Sequence, residues 1–433
     1  MKKLKGAKIR GHIGLTSTIR YTLTIANETN PSIFISAGEA SGDHYGAQIL
    51  ATLRSRLPDL TAFGLGGFEM AQEGLDHIVK AEDVAIMGIT EVVRHMPRIY
   101  GEYRKLVGAI KSRRPQVAVL IDFPDVNFRL ARELKKLDIP VVYFVSPQLW
   151  AWKRSRLRWV QQRVTRMMVI FPFEAAFYRA RNVDAEFVGH PLATLPLPTE
   201  TREAYAQLHG LTPTKQWISL LPGSRRKEVH LNLPEMLKAA ALLLNDQPYE
   251  FLLPVANTIG HYFMRTALAE DSSTAKLPIT LVDDARTAMF HSRASIVASG
   301  TATVQAAVIG NPFVVVYQVS NVTFTLAKRL IRYPSEIPAP RDADGHLPIA
   351  MVNLIAGTRI VPELLQSRFT AENLAATLQP LLADGPARET MISDLAAVRR
   401  SLLPSPESNP IHSVCDAVQS LLARDRPIAR SSV

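Results

Sequence analysis

Two stretches in the second half of this 433-residue chain share one design, and that design restricts the fold more than any other feature. Ile218 to Leu221 and Ile296 to Ala298 are short, continuously apolar runs, the pattern of a strand buried on both faces of a parallel sheet. Pro222-Gly223-Ser224 cuts the first and Ser299-Gly300-Thr301 the second, and a helical pattern follows each turn. A strand that ends in a small-residue turn before a helix leaves backbone N–H groups pointing outwards, where they can hold an anion. Arg225 adds a permanently charged fork suited to phosphate. Alone, either turn is an ordinary connection with solvated Arg225, Arg226 and Lys227. Two of them at strand ends in one half-chain indicate a nucleotide-diphosphate site at a sheet's edge. Neither is a P-loop, because no Lys-Ser/Thr pair follows, and the GxGxxG spacing is absent from both.

The first half repeats the alternation. Ile33 to Ser36 runs into Ala37-Gly38-Glu39-Ala40-Ser41-Gly42-Asp43, a turn that lets a ligand approach the backbone. Asp43 reads best as a helix-start residue satisfying backbone donors. Glu39 has no such structural task and is a site candidate. Val117 to Ile121 delivers Asp122-Phe123-Pro124-Asp125-Val126-Asn127, two carboxylates and an amide where α/β proteins bind ligands. A carboxylate partly withdrawn from water can act as a general base towards a hydroxyl, and one of the pair is expected to cap the following helix instead. Val141 to Val145 leads to Trp150 and Trp152, which either line an acceptor pocket or pack on the sheet edge, and then to a basic helix from Lys153 to Arg163. His190 before Pro191 sits where the halves join; a lone loop histidine is usually structural or solvated.

A chain of this length should hold two domains. The alternation describes a pair of Rossmann-like α/β domains with parallel sheets facing a cleft. The Pro- and Thr-rich stretch from Pro191 to Pro213 separates them. The expected divisions are a basic, disordered extension over 1–31, a first domain over 32–195, a second over 196–403, and a last helix and tail over 404–433. From Glu363 onwards the sequence reads as mainly helical.

The excess of 50 basic over 39 acidic residues, net +11, fits nucleic acid, an anionic membrane surface or a phosphorylated substrate. The basic residues are spread rather than striped and form no RNA or DNA module, which disfavours nucleic acid. Cys415 is the single cysteine, so there is neither a disulfide framework nor a thiolate metal site, and a reducing cytoplasm fits. No His/Asp spacing suits a metal. Apolar stretches fall short of the roughly 18–20 residues that span a bilayer, and Met1 to Asn30 lacks the apolar run of a signal peptide. The apolar group from Met87 to Val93, flanked by Arg94, His95 and Arg98, is either a core-facing helix or a surface that lies on lipid phosphates.

These stretches together resemble lipid-A-disaccharide synthase, an inverting glycosyltransferase family of the GT-B type. The resemblance runs through 37–43, 122–127 and 145–152, then Phe171 to Glu174, Phe187 to Pro191, Leu221 to Arg225, Ser299 to Thr303 and Asn353 to Gly357, in the family's order. It implies transfer of a sugar from UDP-2,3-diacylglucosamine to 2,3-diacylglucosamine 1-phosphate (lipid X), with release of UDP and no cofactor or metal. It also implies that Gly223, Ser224, Arg225, Ser299, Gly300, Thr301, Thr303, Gln305 and Asn353 hold the UDP-sugar. Gly38, Ser41, Asn127, Trp150, Trp152 and His190 would hold the acceptor. Catalysis would fall to Asp125 (first choice as base), Asp122, Glu39 and Arg225. A peripheral seat on the cytoplasmic face of the inner membrane and a C-terminally swapped homodimer follow from the same resemblance. Gln305 departs from the family, where a Glu is expected to hold the uridine ribose; its carbonyl still accepts a hydrogen bond but carries no charge. A UDP-sugar 2-epimerase shares the twin-Rossmann plan but would carry a His-Arg pair and an Asn near 224–228. A protein that merely binds nucleotide sugars would explain neither Asp122 and Asp125 nor the two tryptophans.

Overall fold

The computed structural model describes residues 30–84, 89–245, 247–270 and 276–424, with backbone alone at 89–96 and 321–322. The basic extension and the apolar group at Met87 to Val93 lie outside the described residues and side chains.

The apolar runs form two all-parallel sheets. In the first, β1 (Ser32–Ala37), β2 (Thr61–Gly66), β3 (Asp76–Lys80), β4 (Val117–Ile121), β5 (Val141–Phe144), β6 (Arg166–Val169) and β7 (Ala185–Phe187) lie in the order β3-β2-β1-β4-β5-β6-β7. The second holds β8 (Trp217–Leu221), β9 (Glu250–Pro254), β10 (Ile279–Val282), β11 (Ala294–Ala298), β12 (Phe313–Tyr317) and β13 (Glu363–Leu365), ordered β10-β9-β8-β11-β12-β13. Every residue of β4, β8 and β11 is buried, as helices on both faces require. Both sheets reverse their winding beside their first strand. β1 pairs with β2 on one side and β4 on the other, and β8 pairs likewise with β9 and β11. The connections leaving such neighbours diverge, and a crevice opens at the carboxyl ends of the strands.

Three elements depart from the sequence reading. Glu363 to Leu365 is the edge strand β13, not helix; a three-residue strand is too short to show a period. The Pro-rich join contains the helix Arg202–His209, capped by Thr201 Oγ1 on the Ala204 N–H at 3.2 Å and closed by left-handed Gly210. The basic stretch is a 3-10 turn over Arg154–Arg156 followed by the helix Leu157–Arg163, with Lys153 left-handed at φ 54° between it and the preceding loop.

The last helix, Pro410–Arg424, returns to the first sheet. The buried Cys415 thiol donates to the Ile49 carbonyl at 3.7 Å, and Arg56 pairs with Asp416 at 2.6 Å. Burial pushes that thiol up to about 12, so it stays protonated and serves as packing. The halves also meet through the Arg332 N–H on the Ala151 carbonyl at 3.2 Å and the Arg181–Glu336 pair at 2.7 Å.

Candidate active site at the two crevices

At the first crevice, β1 ends in Gly38 and Glu39, and β4 ends in Asp122. A Cβ on Gly38 would stand 2.4 Å from the Phe123 ring, so this glycine lets the two strand ends close on each other. Asp122 and Phe123 are both left-handed, at φ 44° and 47°. Such backbone costs about 1–3 kcal/mol per residue and persists only when its surroundings over-determine it. Here they do. Asp122 N–H donates to the Phe144 carbonyl at 2.9 Å, while the Asp122 carbonyl accepts from Asn127 Nδ2 at 2.8 Å and from the Tyr143 hydroxyl at 2.6 Å.

The two candidate carboxylates fare differently. Asp122 is half-buried, and its carboxyl is pushed up to about 6, first by burial and then by the negative charge of Glu39. Asp125 stands on the first turn of the helix Pro124–Lys135, is 70 % exposed, and pairs with Arg156 at 2.7 Å. Neither caps that helix with its side chain. Tyr45 adjoins the same cluster; burial and then Asp122 push its phenol up to about 12. Asp43 does satisfy backbone donors, but those of the neighbouring helix Phe68–Gln72, through Gly67, Glu69 and Met70 N–H at 2.7, 3.0 and 3.3 Å.

At the second crevice, β8 ends in Gly223, left-handed at φ 126°, then Ser224 and Arg225. Arg225 is exposed and pairs with Glu228 at 2.8 Å. Its charged form is favoured first by that hydrogen bond and further by Glu39 from the other half. Glu39 thus acts on Asp122 behind it and on Arg225 across the cleft. After β11, Ser299 is half-buried, Gly300 and Thr301 are exposed, and a Cβ on Gly300 would meet open space. Thr301 starts a nine-residue helix at the carboxyl end of β11, the strand beside β8. Gln305 lies half-buried on that helix, and Ser41 is exposed on the first turn of the helix Ala40–Arg56.

Five residues expected to touch substrate are occupied elsewhere. Asn127 is fully buried: its Oδ1 accepts from Ser36 Oγ at 2.7 Å, and its Nδ2 reaches the Ile121 and Asp122 carbonyls. It fastens the two strand ends and has no group left for an acceptor. Asn353 likewise spends both ends of its amide on Ile360, Val361 and Glu363. Thr303 is buried with its hydroxyl on the Gly300 carbonyl at 2.7 Å. Trp150 is 1 % exposed, donating to Glu174 Oε1 at 3.0 Å and packing on Phe173 and Tyr333. His190 is buried, its Nδ1 accepts from the Leu192 N–H at 3.2 Å, and burial pushes it down to about 4, so it stays neutral. Trp152 remains available, 45 % exposed with Lys153 Nζ 4.0 Å from its ring centre.

Sequence reasoning missed Tyr45, Tyr143 and Glu228, and it named Arg156 only within the basic stretch, without its partner Asp125. Of these Glu228 alone carried a signal, as a carboxylate on the first turn of a helix. It also missed a grouping of Asp342, Asp344 and His346, whose ligand-type atoms lie within 4.8 Å of one another. Those carboxylates are already answered: Asp342 by the Asp344 and His346 N–H groups, and Asp344 by Arg368 at 2.9 Å.

Two doubly wound parallel sheets, each with a crevice at the carboxyl ends of its strands, define the GT-B plan. The structure is similar to solved structures built on that plan. One is Acinetobacter baumannii MurG (TM-score 0.53, 16 % identity, covering 90 % of this chain and 99 % of that one). Another is the UDP-GlcNAc 2-epimerase of Neisseria meningitidis bound to UDP-GlcNAc (0.52, 10 %, 91 % and 99 %). At such identities the likeness is one of fold alone. The family model for lipid-A-disaccharide synthetase matches residues 33–404. The lipid-A-disaccharide synthase of Acidobacterium capsulatum is 52 % identical over 410 residues, covering 92 % of this chain and 98 % of the relative. That of Koribacter versatilis is 49 % identical over 371 residues, 86 % and 93 %. The chain belongs to the lipid-A-disaccharide synthase family, and the epimerase reading falls with that.

Asn127→Ala takes the side-chain donor from the Ile121 carbonyl and the acceptor from Ser36 Oγ, leaves the Asp122 carbonyl to Tyr143 alone, and should cost about 1–3 kcal/mol of stability in denaturant titrations. Because it also frees the Asp122 backbone, turnover in the folded variant should fall while the affinity for UDP holds.

Proposed function

We propose that the enzyme transfers a diacylglucosamine unit from UDP-2,3-diacylglucosamine to the 6-hydroxyl of 2,3-diacylglucosamine 1-phosphate, with inversion at the anomeric carbon. A base in the acceptor half (32–195) takes the hydroxyl proton as the oxygen bonds to the anomeric carbon. The bond from that carbon to the β-phosphate oxygen breaks, and UDP leaves with the electron pair. In the donor half (196–403) Arg225, the turn at Gly223 and Ser224, and the N-terminus at Ser299 to Thr301 meet the leaving diphosphate. Gln305 accepts from the uridine ribose. Ser41 and Trp152 meet the acceptor, beside the close approach allowed by Gly38.

The reading rests on the family match over residues 33–404, and the placement of Glu39, whose charge reaches both Asp122 and Arg225, supports it. A proton acceptor and a charge stabiliser from different domains therefore share one field. It also favours Asp122 over Asp125 as the base. Asp122 is withdrawn from water, backed by a second carboxylate and pushed up to about 6, so it is ionised yet basic at neutral pH. Asp125 is solvated and spends its charge on Arg156.

Peripheral seating on the anionic face of the inner membrane fits the acylated substrates and the net charge of +11. Among the described residues no helix is long and apolar enough to cross a membrane. The helix Pro410–Arg424 lies on its own chain's first sheet, and a C-terminally swapped dimer would make the same contacts in trans.

Asp122→Asn and Arg225→Ala should each lower turnover at least roughly 100-fold, measured by mass spectrometry of the products from both diacylated sugars. Asp125→Asn breaks a surface pair worth about 0–1 kcal/mol and should cost less than about tenfold. Near-wild-type turnover by folded Asp122→Asn would remove Asp122 from the role.

The acid limb of kcat/KM should have its midpoint at about 6 and vanish in Asp122→Asn. Raised in the folded state, this carboxyl binds its proton more tightly there than in the unfolded chain. It therefore costs stability increasingly as pH rises from 3.8 to about 6, and Asp122→Asn should melt higher than wild type above that window. For the membrane seat, Met87→Ser with Val92→Ser should reduce sedimentation with anionic liposomes; unchanged sedimentation would return that group to the core.

A further inference from the structure

Two donors of the turn at 223–225 are engaged by a single anion. The Ser224 N–H donates to Glu228 Oε2 at 3.0 Å, and Arg225 donates to Glu228 Oε1 at 2.8 Å. Gly223 completes the seat, since a Cβ there would stand 2.5 Å from Glu228 Oε2. One oxygen on a backbone N–H and the other on a guanidinium is also how a phosphate would sit there. The Ser224 N–H has a single proton to give, and a diphosphate beside the Glu228 carboxylate would meet its charge at close range.

The turn does not need Glu228 to keep its shape. Asn232 Nδ2 holds the Pro222 carbonyl at 2.8 Å from the buried side, and the Thr258 hydroxyl holds the Ser224 carbonyl at 2.6 Å. Glu228 itself is 33 % exposed on the first helical turn, with solvent to swing into. Removing its carboxylate would leave the donors in place and empty.

We propose that Glu228 is an exchange ligand of the donor site, filling the diphosphate seat in the empty enzyme, yielding it to the entering nucleotide, and reclaiming it as UDP departs. The inference rests on reading the turn at 223–225 as the diphosphate seat. An internal anion that must first withdraw lowers the apparent affinity for the external one by the fraction of time the seat is open. It speeds product release for the same reason.

The test is calorimetric titration of the full-length enzyme with UDP. Glu228→Gln should bind UDP roughly three- to tenfold more tightly than wild type, and inhibition of turnover by UDP should strengthen by the same factor. Glu228→Asp, a methylene too short to span both donors, should bind more tightly as well and serves if Glu228→Gln does not fold. Unchanged or weaker binding in either folded variant would overturn the inference and leave Glu228 as a helix cap that aligns Arg225. Arg225→Ala separates the two readings. If it weakens UDP binding while Glu228→Gln fails to tighten it, exchange alone falls; if it leaves UDP binding unchanged, the seat falls and exchange with it.

Discussion

The reversal of winding beside β1 and β8 is the constraint on which the rest of the molecule depends. Because the connections leaving β1 and β4 diverge, and those leaving β8 and β11 do the same, no crossover helix covers the strand ends between them. The turns at Gly38, Glu39 and Asp122 on one side, and at Gly223 to Arg225 and Ser299 to Thr301 on the other, lie at those strand ends. In the proposed function each sheet alone makes half a site. Their union brings a carboxylate cluster within electrostatic reach of a guanidinium.

Within that gap the protein sorts its charges by burial. Arg156 neutralises the outer aspartate, Asp125, while the inner one is left beside Glu39 with burial against it. An uncompensated carboxylate on the first of two consecutive left-handed residues is a cost to the fold. Asn127 and Tyr143 bear that cost by gripping the Asp122 carbonyl. The donor side is built the other way, with its cation answered by Glu228 rather than left open.

Much of this was legible in the chain. Continuous apolar runs such as Val117 to Ile121 and Phe313 to Tyr317 admit a single reading, because a strand covered on both faces cannot alternate. β3 and β13 sit at sheet edges, where short, mixed composition carries no period, and they escaped notice. The strand-end motifs were legible by position, but the bonding of their residues was not. Asn127, Thr303, Asn353, Trp150 and His190 sit at strand ends among motif residues, as ligand groups do, yet bond inwards. A turn that must hold strained or open backbone needs internal fasteners drawn from the same polar residues that bind substrates.

The sequence by itself determined the fold class, its two parallel sheets and the family, because apolar period and turn composition are local properties written along the chain. Tertiary structure alone decided which of two aspartates three positions apart is withdrawn from water, which amides are engaged, and what anion sits on Arg225. Those outcomes depend on burial, on charges brought together from residues 39, 122 and 225, and on competition for single protons. None of the three is set until the chain has closed on itself.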